Sequence, residues 1–215
     1  IPPESITVTM EVMFLIPAKS KASLTTGIPD PPPIVTIFKA TNRYYHKISL
    51  SYCYNLNMDI SLRVSHISKS YSNVLFEDVT LGVTGPTRIG LIGDNGSGKS
   101  TLLKMIAGEE SVPVGSITWG KDAKVGYLEQ ELGKDLDTAS GGEKKIIKLS
   151  QLFYGDYNVI LLDEPDNHLD IDNRLWFQSL VEDFDGILII ISHDRSFLRK
   201  CVDKIWLLEE EKIKE

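Results

Sequence analysis

Cysteine is scarce in this sequence. Only 2 of 215 residues are cysteines, Cys53 and Cys201, and they lie far apart without metal-ligand spacing. A disulfide framework is therefore excluded, and a reduced, cytoplasmic setting fits best. Long apolar runs are missing as well. The patch at 12–16 is too short to span a membrane and lacks the flanks of a signal peptide. Work at a membrane would need a partner to supply the span. Nor is positive charge in excess: 23 basic against 30 acidic residues leave a net charge of −7. That argues against a generally basic nucleic-acid-binding surface, while a local basic patch stays open. A hydrophobic share of 42% and a charged share of 25% suit one soluble globular domain with an appendage.

The first 57 residues differ from the rest. They are rich in Ser, Thr and Pro, including Pro31-Pro32-Pro33, and their 5 basic and 3 acidic residues give +2, which leaves −9 for 58–215. Short apolar patches at 12–16 and 34–38 show no sustained period. The expectation for 1–57 is a poorly ordered or atypical N-terminal extension, with a small docking element as the alternative. The working domain is expected over 58–215, and Met58 would make a natural start.

From Asp59 the text becomes regular. Ile60, Leu62 and Val64 alternate with polar residues, and so do Val79, Leu81 and Val83, with a turn at Ser72-Asn73 between them. This predicts a small antiparallel β unit. Residues 88–92 read as a buried strand and 101–107 as a helix stopped by Gly108. Short strands follow at 115–119 and 124–128. A helix is expected over 144–153, with Ile146, Ile147, Leu149 and Leu152 buried. The runs at 159–162 and 187–191 are apolar throughout, as in parallel strands covered on both faces. Between them, Asp172 would cap a helix running to about Phe184, with Leu175, Trp176, Ser179 and Leu180 inward. A short helix near 197–201, a strand at 205–208 and an exposed charged tail complete the chain. The fold class is α/β: a mostly parallel sheet flanked by helices, with an N-terminal antiparallel β unit.

Between the strand at 88–92 and its helix lies Gly93-Asp94-Asn95-Gly96-Ser97-Gly98-Lys99-Ser100, which fits the phosphate-loop pattern G-x-x-x-x-G-K-[ST] at every fixed position. Backbone N–H groups and a helix N-terminus make such a loop an anion site. Lys99 can reach the β- and γ-phosphates, and Ser100 can ligate Mg²⁺.

Ligands of such sheets bind at the carboxyl ends of the strands. Asp163 and Glu164 end one strand, His193 follows another and Gln130 a third. Asp163 is placed to hold Mg²⁺, and Glu164 to polarise a water for attack on the γ-phosphate. His193 can bond that phosphate or orient the water, and Gln130 can contact the metal or the same water. Taken alone, an acid pair also caps helices and a histidine also serves structure.

The motifs come in a telling order: Gly93 to Ser100, Gln130, Ser140-Gly141-Gly142-Glu143, Asp163-Glu164, Asn167-His168-Leu169-Asp170 and His193. Over about 59–210 the chain resembles an ATP-binding cassette (ABC) ATPase domain, with a P-loop NTPase-type sheet. Gly142-Glu143 and the stretch from Asp163 to Asp170 are most similar to the F subfamily, whose members carry two cassettes, lack a membrane domain and act on ribosomes. The resemblance implies ATP and Mg²⁺ as cofactors. It implies that Gly93, Asp94, Asn95, Gly96, Ser97, Gly98, Lys99, Ser100 and Thr101 bind phosphate and metal. Gln130 would be the Q-loop residue, Asp163 the metal acid, Glu164 the catalytic base and His193 the switch histidine. Tyr71, 28 positions before Lys99, would stack on adenine. Ser140, Gly141 and Gly142 would contact the γ-phosphate of ATP held by a second cassette, in a head-to-tail pair.

The sequence also departs from that family. Ser140 comes only ten positions after Gln130, where the family places a helical subdomain, so this subdomain is expected to be nearly absent. Ala139 stands for a usual leucine and Asp166 for a usual threonine. The chain ends just past the last strand of one cassette, which reads as a truncated single cassette. Three functions are implied: an F-type ATPase working with ribosomes, the nucleotide-binding subunit of a membrane transporter, or a truncated cassette with little activity.

Overall fold

The structure is a computed structural model that describes residues 59–129, 139–167 and 169–215, with 139–143 described by their backbone alone. The extension 1–57, its boundary near Met58, Gln130 and His168 lie outside the described residues.

The elements alternate as expected. An antiparallel sheet in the order β2-β1-β4 is built from β1 (Ser61–Ser70), β2 (Val74–Thr84) and β4 (Val114–Trp119). Ile60, Leu62, Val64, Val79, Leu81 and Val83 are all buried, so the alternation read from sequence sets the buried face. The strand after the loop helix, β4, completes this sheet by pairing with β1.

The second sheet has six strands in the order β5-β6-β7-β3-β8-β9. Its members are β3 (Thr87–Gly93), β5 (Val125–Leu128), β6 (Val159–Asp163), β7 (Ile187–Ile191), β8 (Lys204–Glu209) and β9 (Lys212–Lys214). The first five run parallel, and β9 turns back antiparallel on β8. Every residue of β6 and β7 is buried. Val159 and Leu161 face one apolar cluster with α1 (Lys99–Ala107) and the antiparallel sheet. Ile160 and Leu162 face the other, with α2 (Ala139–Phe153), α3 (Ile171–Asp183) and α4 (Arg195–Cys201). Burial on both faces explains why these strands read as unbroken apolar runs.

Four local readings are corrected. The face of α2 buries Leu149, with Ile146 and Leu152 partly covered, but Ile147 points to solvent. In α3 the buried residues are Phe177 and Val181, while Leu175 and Ser179 are exposed. Phe177 stacks on Phe197 of α4 at 5.3 Å between ring centroids, and this contact sets the rotation of the helix. The cap of α3 is Asp170, whose Oδ1 accepts the Asn173 N–H at 2.8 Å; Asp172 sits in the first turn. The charged tail is not a free end. Ile213 of β9 packs on the core, and the Glu77 N–H donates to the Glu211 carbonyl at 2.8 Å, tying β9 to β2.

Candidate functional site

The strand order does what the sequence order cannot show. β6, β7 and β3 are adjacent and parallel, with Asp163 in register with Ile191 and Leu91 with Ile191. The loops after these three strands therefore open at one edge of the sheet. They carry Asp163-Glu164, His193 and the phosphate loop.

The phosphate loop is shaped by its glycines. Gly98 has φ 102° and is the N-cap of α1 without any side-chain cap bond, which leaves the first N–H groups of the helix facing the loop. At Gly93 a Cβ would lie 2.3 Å from the Leu208 carbonyl oxygen, so only glycine lets the loop leave β3 beside β8. Lys99 is buried, and its ammonium donates to the carbonyls of Gly93 at 3.0 Å and Asp94 at 2.8 Å. Burial pushes its pKa down, while the carboxylates of Glu164, Asp163 and Asp94 pull it up.

Asp163 ends β6 with its side chain inside the protein, 1% exposed. Both carboxylate oxygens are buried, and neither receives a hydrogen bond of ordinary geometry, although the Ser100 hydroxyl lies near enough to favour the charged form. Burial raises its pKa above the usual aspartate value. The neighbouring Ser100 hydroxyl opposes that shift, the Glu164 carboxylate adds to it, and Lys104 and Lys99 oppose it in turn.

Glu164 follows with φ 48°, a left-handed conformation rare for a residue with a side chain. Its N–H donates to the Ile191 carbonyl at 3.0 Å, anchoring it to the end of β7. One carboxylate oxygen lies 3.1 Å from His193 Nε2, and the other accepts from the Asn167 amide at 2.5 Å. The structure thus brings Glu164 and His193 together.

Tyr71 lies just past β1, 63% exposed as a residue, with the Lys69 ammonium 5.2 Å from its ring centroid. The chain that follows touches the phosphate loop, since a Cβ on Gly98 would meet Leu75 Cβ at 3.1 Å. Ser140, Gly141 and Gly142 fall in the first turns of α2, which begins at Ala139 rather than near Lys144. Gln130 lies outside the described residues, but its neighbour Glu129 is held by Lys104 of α1 at 2.5 Å.

Three contacts escaped the sequence reading. Asn167 clasps Glu164 through its amide. Asp166 is buried and accepts the Ser192 hydroxyl at 2.9 Å, joining the turn after β6 to the loop after β7. Lys145 of α2 donates to the backbone of the turn after β6. Asn167 and Asp166 both lie in the motif stretch from Asp163 to Asp170, Lys145 carried no signal, and the contacts of Asp166 and Lys145 link residues far apart in the chain. Two clefts, of about 470 and 220 Å³, follow the surface of α3 and are lined by residues other than the phosphate loop.

Known proteins share sequence and fold with this chain. Residues 76–127 match a family model described as ABC transporter. The Probable ATP-binding protein YheS of Escherichia coli K12 is 31% identical over 193 positions, covering 71% of this chain and 30% of the relative. The Energy-dependent translational throttle protein EttA of the same strain is 29% identical over 197 positions, covering 71% of this chain and 36% of the relative. The chain thus spans about a third of the length of these curated relatives. The YheS alignment is also longer than the part of this chain it engages, so the relative has residues without counterpart here. Among solved structures, an inward-facing metal-chelate type ABC transporter matches with a TM-score of 0.62 and 20% identity, over 73% of this chain and 82% of the other. Among the described residues no helix is long and apolar enough to cross a membrane. Motif order, the sheet that presents the motifs, the family match and these sequence relatives show that the chain carries an ATP-binding-cassette ATPase domain similar to those of YheS and EttA, and the solved transporter shares its fold.

Proposed function

We propose that this domain binds ATP with Mg²⁺ and hydrolyses it to ADP and phosphate, as one half of a head-to-tail pair of cassettes in a factor that acts on ribosomes. The observation that carries the reading is Asp163. A buried carboxylate whose two oxygens receive no hydrogen bond of ordinary geometry is costly, and it fits a divalent cation beside the phosphate loop. Asp163, Ser100 and Gln130 would hold that cation. Among the described residues no three His, Cys, Asp or Glu side chains cluster to bind a metal, so phosphate oxygens would complete its shell. When bound, Mg²⁺ supplies charge neutralisation on the β- and γ-phosphates.

The chain's own residues supply the rest. Loop N–H groups and Lys99 hold the phosphates, and the exposed face of Tyr71 receives the adenine ring. Glu164 accepts a proton from water as its oxygen attacks the γ-phosphorus and the bond to the β–γ bridging oxygen breaks. His193, at 3.1 Å, holds the Glu164 carboxylate in line for that transfer. The start of α2, with Ser140, Gly141 and Gly142, would offer a hydroxyl and backbone donors to ATP on the opposite cassette. The likeness to a translational throttle protein supports a ribosomal partner.

Fluorescent ATP-analogue binding and phosphate release test the enzymatic reading. Glu164→Gln should keep binding and lose about 10²- to 10⁴-fold of the release rate. Release per molecule should rise with protein concentration, as pairing requires. Absence of ATP binding would sink the reading. Co-sedimentation tests the partner: recovery with membranes and never with ribosomes would overturn the ribosomal part.

A further inference from the structure

Lys145 is one of the few charged side chains buried among the described residues, at 6% exposure. It stands on α2 one turn before the buried Leu149 and shares its face. Its ammonium donates to the Glu164 carbonyl and to the Asn167 carbonyl, both at 2.9 Å. These carbonyls bracket one tight turn, in which the Asn167 N–H returns to the Glu164 carbonyl at 3.4 Å. The same two residues decide where the Glu164 carboxylate points, one carrying it and the other clasping it through its amide. Glu164 is also left-handed, a conformation that persists only where surrounding contacts impose it.

We infer that Lys145 is a positioning residue, which locks the Glu164–Asn167 turn to α2 and so makes the aim of the Glu164 carboxylate depend on the placement of that helix. The first turns of α2 hold Ser140, Gly141 and Gly142. The part of this chain that would reach the partner's nucleotide and the part that holds its own base then move as one body. Displacement of α2 at one ATP of a pair would be felt at Glu164 of the other. The catalytic consequence rests on the ATPase reading above; the lock itself does not.

The test uses the full chain with Lys145→Gln and Lys145→Arg. Hydrogen exchange should show the backbone amides of Glu164, Asp166 and Asn167 opening about ten-fold faster in Lys145→Gln, with α1 unchanged. Phosphate release should fall about 10- to 100-fold, the effect of losing charge-assisted hydrogen bonds, while ATP affinity stays within about two-fold. Lys145→Arg, which restores the charge and the donors, should recover most of both. Unchanged exchange in Lys145→Gln overturns the lock. Faster exchange with normal release overturns its catalytic role. If Lys145→Gln does not fold, native-state exchange of the wild type decides: the amides of Glu164, Asp166 and Asn167 and those of α2 must open together with one denaturant dependence, and separate opening refutes the inference. A wild type that releases no phosphate would defeat the ATPase reading, while the exchange result still decides the lock.

Discussion

Replacing Asp163 by asparagine should make the protein more stable and less active. The carboxylate is 1% exposed and neither oxygen receives a hydrogen bond of ordinary geometry, so its charge opposes folding. An unsatisfied buried group costs about 1–3 kcal/mol. The asparagine amide would be left unpaired too, so the net gain falls at the low end, about 1 kcal/mol. For a chain of this size that is roughly 2–4 °C in melting temperature. The pH dependence has a definite sign. Burial raises the folded-state pKa of Asp163 above its unfolded value, so the folded protein holds this proton more tightly. The wild type therefore gains stability relative to the variant as pH falls through the raised pKa toward the ordinary aspartate value near 4. The advantage of Asp163→Asn is present at neutral pH and closes in acid. Adding Mg-ATP should reverse the order. Ligand at a hundred times its Kd stabilises the wild type by about 2.7 kcal/mol, roughly 5–10 °C, and the variant by much less. Scanning calorimetry in EDTA and in Mg-ATP measures both effects. A variant that melts at or below the wild type in EDTA at neutral pH would refute the argument that this carboxylate waits for a cation.

Tyr71→Ala should weaken ATP binding about ten-fold or more through loss of stacking, while Tyr71→Phe keeps it; a calorimetric titration giving equal affinity for all three proteins would remove Tyr71 from the site. Gly98→Ala forces a side chain into φ 102° with its Cβ 3.1 Å from that of Leu75, and should cost about 1–2 kcal/mol in urea unfolding together with a loss of nucleotide affinity. Arg88 pairs with Asp203 at 2.8 Å and donates to the Glu182 carbonyl at 3.1 Å. Asp203 is partly exposed, so Arg88→Met should cost only about 0.5–1 kcal/mol. The hydrogen bonds from Arg88 lower the Asp203 pKa, so this stability is present above the ordinary aspartate pKa and disappears as pH falls through the depressed one.

Strands and phosphate loop were legible because their physics is local. A buried parallel strand needs an unbroken apolar run, and an anion loop needs glycines and a lysine at fixed spacing. Helix faces were less legible. In α3, Ile171, Leu175, Trp176, Phe177, Leu180 and Val181 put apolar residues on several sides, so spacing alone admits two rotations, and the contact of Phe177 with Phe197 selects one. The cap moved by two residues because Asp170 and Asp172 are equally able to accept a backbone N–H, and only Asp170 precedes the first turn. Lys145 was hidden for a plainer reason: in Glu143-Lys144-Lys145 it looks like any solvated lysine, and its acceptors lie 19 and 22 positions away. The meeting of Glu164 with His193 was half visible. Each ends a strand, but their adjacency depends on β6 and β7 being neighbours.

The small hairpin of β8 and β9 has a bearing on how this protein behaves at high concentration. A parallel sheet whose outer strand is bare offers a row of free backbone donors and acceptors to any passing chain. Here that position is taken by three residues, Lys212-Ile213-Lys214, entered through Glu210 and Glu211 at positive φ. The strand is short, both its lysines are exposed, and its isoleucine is turned to the core. A further strand adding there would gain few hydrogen bonds and would bring its own side chains against two ammonium groups. The sheet is thus closed to self-association on this side by charge and brevity.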